Sequence, residues 1–237
     1  MTKAILMAAG RGTRISRDID GNCKCTLDIG GTTLIQHTVQ MLLKHGIEVH
    51  IVVGYQKERI MEALKGLPVK IHENHFYSVT NSLSSLWFAK EELCGDTIIL
   101  GNADVFWEEN LLPILLEDER DCVMLSDSSR VEQGDYLFRV ENGAVREYGK
   151  GLDKNKANCE YVGLAKIQGP FIRECKAELT YMIEAQRHNA WWEQILYNMI
   201  PGRSIWTSDI AGHFWAEIDF IEDYQRILNY REVKLAR

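Results

Sequence analysis

The run Ala4–Met7 ends in Ala8-Ala9-Gly10-Arg11-Gly12-Thr13-Arg14, a loop with two glycines and two arginines. This junction constrains the fold more than any other stretch. A short continuous apolar run bounded by glycine reads as a fully buried strand, and such strands belong to sheets covered on both faces. The first half repeats the theme. Strands are predicted at 3–8, 48–54, 69–73, 96–105 and 121–127, with helices at 34–46, 57–66, 81–93 and 108–119. Asn81 or Ser82 is the expected N-cap of the third helix. Strands alternating with helices predict an α/β fold: a Rossmann-like, mixed but mostly parallel sheet flanked by helices.

The second half changes character. Asn142-Gly143 between two apolar runs signals a hairpin over 136–149. A strand is expected at 160–167, helices at 171–185 and 190–200, a late strand at 213–219 and a closing helix at 220–230. No fixed-period repeat and no Pro/Ser-rich linker interrupts the 237 residues. The expectation is one domain over 1–237, with a nucleotide-binding half (1–127) and a small β-rich acceptor half (128–237).

A net charge of −7 weighs against a nucleic-acid partner, which usually demands a basic excess. No apolar run approaches the length of a membrane span. Of the six cysteines, Cys94 and Cys122 adjoin apolar runs and read as small core residues. Cys23 and Cys25 form a single CxC with no second Cys/His pair, too little for a metal site, so they read as incidental thiols. Reduced thiols with no secretory leader point to a cytoplasmic protein. His37, His45, His72 and His75 show no ligand spacing and read as structural or surface residues.

In open α/β sheets, ligands gather at the carboxyl ends of the strands. Gly10 and Gly12 lie at that edge, where glycine lets backbone amides turn toward an anion. The loop is thus a phosphate cradle by chemistry. It is not a P-loop, since GxxxxGK[ST] is absent, nor a dinucleotide fingerprint, since Ile15 stands where the third glycine belongs.

The pattern A-A-G-x-G-T-R, with Lys24 ten residues after Arg14, resembles the nucleotidyltransferase family that activates sugar phosphates and phosphorylated alcohols. The resemblance continues through KCTLDIGGTTLIQHTVQ, IVVGY, GNADV and WAEIDFIEDYQRIL. Within the family, Asn81, Ser85–Trp87, EYVGLAKI and the EIDxxxDY tail are most similar to cytidylyltransferases acting on phosphocholine and on small phosphonates. One departure is Cys23, where the family usually has a loop-stiffening proline.

The resemblance implies the nucleotide-diphospho-sugar transferase fold and a Mg²⁺-dependent reaction. A phosphate or phosphonate oxygen of the acceptor would attack the α-phosphorus of CTP and release pyrophosphate. The acceptor is already a nucleophile at neutral pH, so catalysis is positioning and charge neutralisation. Arg14 would grip the β- and γ-phosphates and Lys24 would sit at the α-phosphate. Asp104 and Asp219, each ending an apolar strand, would hold the metal, with Glu217 behind them. Both aspartates could equally serve as helix N-caps on position alone. Ala8, Ala9, Gly10, Gly12 and Thr13 would form the cradle. Asn81, Ser85 and the Gly54-Tyr55 turn would read the base, with a plain helix cap as the competing reading of Asn81.

For the acceptor, Lys150 resembles the family's basic residue at the acceptor phosphate. Tyr136, Tyr161, Trp191 and Trp192 offer an aromatic cage for a choline ammonium. Glu160 and Asp135 offer partners to a primary amine, as in phosphoethanolamine or 2-aminoethylphosphonate. One of the two adjacent tryptophans must simply pack the core. A homodimer is compatible with the resemblance. The alternatives are a sugar-1-phosphate nucleotidylyltransferase using UTP or dTTP, and a nucleotide-binding regulator without chemistry.

Overall fold

The computed structural model describes residues 1–235. Strand β1 (Thr2–Ala8) is buried from Lys3 onward because both of its faces are covered. Ala4, Leu6 and Ala8 face one core layer, packed by helices α1 (Leu34–Lys44) and α2 (Lys57–Ala63). Ile5 and Met7 face the other, packed by α3 (Ser82–Phe88), α5 (Pro170–Glu184) and α6 (Gln194–Met199). This is the two-sided cover that a continuous apolar strand requires. Helix α1 is set by a capping box in which Thr33 and Gln36 satisfy each other's backbone amides.

β1 lies between β2 (Glu48–Val53) and β4 (Thr97–Asn102), parallel to both, with β3 (Val69–Glu73) outside β2. Beyond β4 the sheet turns mixed. The long strand β9 (Cys159–Gln168) inserts antiparallel between β4 and β6 (Cys122–Asp127). The hairpin β7 (Leu137–Glu141) and β8 (Ala144–Gly149) and strand β10 (Trp206–Asp209) complete nine strands in the order β3-β2-β1-β4-β9-β6-β10-β8-β7. A strand from the second half therefore sits inside the sheet of the first.

Several element bounds differ from expectation. The strand predicted over 96–105 breaks at Ala103-Asp104 and resumes as β5 (Val105–Trp107), which pairs with β11 (Trp215–Glu217) in a separate two-stranded ribbon. The helix predicted over 190–200 begins only at Gln194, leaving Trp191 and Trp192 in the preceding turn. The helix predicted from 108 is confined to α4 (Leu111–Leu116). Strand β10 was not foreseen; its four polar-edged residues carry little periodic signal. Cys94, expected in the core, is exposed, whereas Cys122 is fully buried.

Helix α7 (Ile221–Leu235) closes the chain. Ile15 and Ile19 of the opening loop pack with Ile29, Ile218 and Ile227 in a third core cluster. This cluster ties the glycine loop to α7. Among the described residues, no helix is long and apolar enough to cross a membrane.

Candidate active site

A cleft of about 240 Å³ opens at the carboxyl ends of β1 and β4. The glycine loop forms one wall. Gly12 has φ +59°, and a Cβ there would lie 2.9 Å from Cγ of Lys24. Only glycine supports both that backbone and that approach. Ala8, Ala9, Gly10 and Gly12 line the cleft.

Lys24 lies in a single 3-10 turn, Lys24–Thr26, and is almost fully buried. Its Nζ donates to Asp219 Oδ1 at 2.7 Å and to Asp104 Oδ2 at 3.2 Å. Burial opposes its charge, but Asp104 and Asp219 outweigh burial and hold the ammonium up at about 12. Arg14 Nη2 meets the other oxygen of Asp219 at 2.8 Å, and Nη1 lies 3.7 Å from Asp135. Two cations and two aspartates, drawn from four separate stretches of chain, thus converge at one point.

The ribbon β5–β11 makes this convergence. Val105 pairs with Glu217, and Ile218 N donates to Asp104 O at 3.0 Å, so the two acidic segments are stitched side by side. Neither aspartate acts as a helix cap. Asp223 Oδ2 accepts from the amides of Asp219 and Phe220 instead, which leaves the Asp219 carboxylate free to face the cleft. Glu217 also lines the cleft, so it stands beside the aspartates rather than behind them. Burial first, and then Asp104 and Asp219, push its carboxyl well above the usual carboxylate range. Carboxylates that share one ammonium are hard oxygen donors able to share one small divalent cation, the donor class that takes Mg²⁺.

Asn81 is a helix cap that also lines the cleft. Its Oδ1 accepts from Ser82 N at 2.8 Å at the start of α3. Ser85 also lines it and accepts from Asn74 Nδ2 at 3.1 Å. Asn74 is buried to 1% exposure and was missed by sequence reasoning, because it sits in a loop with no periodic signal. Thr13, Gly54 and Tyr55 are not on the cleft wall. Gly54 is instead a packing position, where a Cβ would meet Tyr77 at 2.7 Å and Ala9 at 2.9 Å. Tyr55 holds the loop from outside: its amide donates to Ala9 O and its hydroxyl to Gly21 O.

The opposite wall is aromatic. Tyr136 stacks on Tyr197 with ring centres 5.9 Å apart, and the edges of Tyr161 and Trp191 close around it. The Tyr161 hydroxyl is buried with no hydrogen-bond partner. Trp192 is not part of this wall. It is 0% exposed, and its Nε1 donates to Asn102 Oδ1 at 2.9 Å, so it packs the core while Trp191 faces the cleft at 45% exposure.

Lys150 bonds Asp135 and lies 5.5 Å from the Trp191 ring centre. Glu160 lines the cleft but is already engaged, accepting from Arg130 Nε at 2.9 Å and Asp135 N at 3.0 Å. The less committed carboxyl is Glu193, which sequence reasoning missed. It lines the cleft, its side chain is held by Asn102 Nδ2 at 3.3 Å, and burial pushes it up to about 7. An acid directly after two tryptophans, among buried apolar residues, was the available signal.

A second polar cluster lies away from the cleft. His50 and His72 face each other at 3.0 Å with Glu92 beside them, and Lys3 Nζ bonds Glu92 at 2.8 Å.

Residues 4–165 match the model of the MobA-like NTP transferase domain. The chain is 26% identical to the 2-aminoethylphosphonate cytidylyltransferase of Lancefieldella rimae, over 94% of this chain and 90% of the relative. It is 23% identical to the choline-phosphate cytidylyltransferase of Streptococcus pneumoniae, over 95% and 96%. A solved structure of the CTP:phosphocholine cytidylyltransferase from Streptococcus pneumoniae superposes with a TM-score of 0.80 at 19% identity, covering 97% of this chain and 98% of that one.

Proposed function

This protein belongs to the MobA-like NTP transferase family, and from that premise we propose that it is a Mg²⁺-dependent cytidylyltransferase whose acceptor is a small phosphate or phosphonate bearing a cationic amino group. The observation that carries the reading is the meeting of Lys24, Arg14, Asp104 and Asp219 beside the glycine loop, opposite an aromatic wall with a buried acid. The choice of CTP is supported by the two cytidylyltransferase relatives.

The reaction forms one P–O bond and breaks one. An acceptor oxygen attacks the α-phosphorus of CTP, and the bond to the β-phosphate bridging oxygen breaks, releasing pyrophosphate. The acceptor oxygen is ionised at neutral pH, so no residue need remove a proton. The obstacle is bringing two polyanions together, and cationic side chains address it. Lys24 is the buried point charge, aimed by its packing on Gly12. Arg14, half exposed at the mouth, supplies a planar fork for the outer phosphates. Asp104 and Asp219 would hold Mg²⁺, which supplies charge neutralisation at the transferring phosphate.

The acceptor's cationic head fits the far wall. Tyr136, Trp191 and Tyr197 present π faces and edges, Asp135 presents negative charge, and Glu193 presents a buried carboxyl that can accept a hydrogen bond. Lys150, beside Asp135 and Trp191 at the rim, would meet the acceptor's phosphate or phosphonate.

The test crosses four NTPs with phosphocholine, phosphoethanolamine, 2-aminoethylphosphonate and glucose 1-phosphate, reading pyrophosphate release with Mg²⁺. Release with CTP and an amino-bearing acceptor is expected. Release only with UTP or dTTP and the sugar phosphate would replace this reading with a sugar-activating one.

A further inference from the structure

Lys24 is flanked by Cys23 and Cys25, which no part of the proposed reaction uses. Both thiols are buried from bulk solvent at 3% and 2% exposure, yet both line the cleft. Their sulfurs lie 3.3 Å apart and share a hydrogen bond. Residues two apart cannot exceed about 7 Å between Cα atoms even in extended chain, and the 3-10 turn holds them closer. That is within the span of a disulfide. We propose that Cys23 and Cys25 are a modification site inside the cleft, a dithiol that a low-molecular-weight disulfide oxidises to an intramolecular bond, displacing Lys24 and switching the protein off.

The step is thiol–disulfide exchange. The Cys23 thiolate attacks one sulfur of the small disulfide, whose S–S bond breaks and releases one thiol. Cys25 then attacks the Cys23 sulfur, and the second thiol leaves. The protein loses two hydrogens, and the electron pair ends on the small disulfide, now two thiols. The hydrogen bond from Cys25 holds the Cys23 thiol below its ordinary range, which favours it as the attacking sulfur.

Displacement of Lys24 follows from the absence of slack. Bond formation closes the sulfurs from 3.3 Å to about 2.05 Å, and the new ring contains the Lys24 backbone. The Lys24 stem lies against Gly12, and its head is held by Asp104 and Asp219. A moved backbone therefore carries the ammonium away from the two carboxylates.

The consequence for turnover rests on the cytidylyltransferase reading; formation of the bond and release of Lys24 do not. The test uses full-length protein with Cys94→Ser, which removes the exposed thiol outside the cleft. It is treated with oxidised glutathione, exposed to an amine-selective reagent while still folded, and then cleaved at Asp20 and Asp28 so that both cysteines and Lys24 stay on one fragment. The expected fragment has lost two hydrogens, Lys24 has become labelled by an amine-selective reagent, and turnover has fallen by about 100-fold, the scale set by ångström misplacement. Dithiothreitol added before the amine reagent should restore the fragment mass, keep Lys24 unlabelled and return turnover. A Cys23→Ala/Cys25→Ala variant should match its own untreated turnover after the same exposure. A fragment that stays reduced, or that stops at a glutathione adduct, overturns the proposal. So does a disulfide that leaves Lys24 unlabelled and turnover unchanged. If the reduced protein turns over none of the acceptors, the functional reading fails, while the fragment mass and Lys24 labelling still decide the switch.

Discussion

Lys24 Nζ lies 2.7 Å from Asp219 and 3.2 Å from Asp104, so one ammonium joins two carboxylates that a separate two-stranded ribbon has set side by side. Lys24 therefore depends on both carboxylates for its position and for its charge.

Removing either carboxylate should abolish turnover without unfolding the chain. Asp104→Ala and Asp219→Ala are each expected to lower kcat by at least about 100-fold, the usual cost of losing a preorganised electrostatic element. Pyrophosphate release at saturating Mg²⁺ measures this, and circular dichroism checks the fold. Near wild-type turnover in either variant would refute the metal assignment.

Lys24→Ala should lower kcat more than it raises the nucleotide KM. A buried charge aimed at the reacting phosphate matters most when negative charge is developing there. A raised KM with kcat unchanged would make Lys24 a ground-state binder only.

The adjacent tryptophans should separate cleanly. Trp191→Ala removes a half-exposed cleft wall and is expected to raise the acceptor KM with little change in Tm. Trp192→Ala empties a fully buried site and should cost about 3–5 kcal/mol of stability. Steady-state kinetics and thermal melts on both variants decide it. Equal effects from the two would show that the aromatic wall is drawn wrongly.

Glu193 should leave a signature in the pH dependence of stability. Its carboxyl ionises at about 7 in the fold against 4.5 in its absence. The folded chain holds that proton more tightly, so stability falls as pH rises from 4.5 through 7, by about 3 kcal/mol at most. Glu193→Gln lacks this loss. It should be more stable than the parent above pH 7 and indistinguishable below pH 4.5. A difference that stays constant across thermal melts from pH 4 to 8 would contradict a buried, proton-holding acid.

Most of the first half was legible because its signals are local. β1, β2 and β4 are short apolar runs, α1 announces itself with a capping box, and the glycine loop has a spacing that few other chemistries need. The second half was less so. β10 has too few apolar residues to show a period, and the two tryptophans look alike until one is tied to Asn102 and the other is left facing the cleft.

Sequence alone determined the alternation of strands and helices in the first half and the glycine loop at the end of β1, since these follow from hydrophobic period and glycine placement; Arg14, Lys24, Asp104 and Asp219 were singled out by resemblance to a known family. Tertiary structure decided which groups meet. The insertion of β9 between β4 and β6, the seat of Glu193 and Asn74 on the cleft, and the 3.3 Å approach of Cys23 to Cys25 all depend on side chains brought together by packing. Long-range pairing and burial are properties of the closed fold, and no local pattern of residues encodes them.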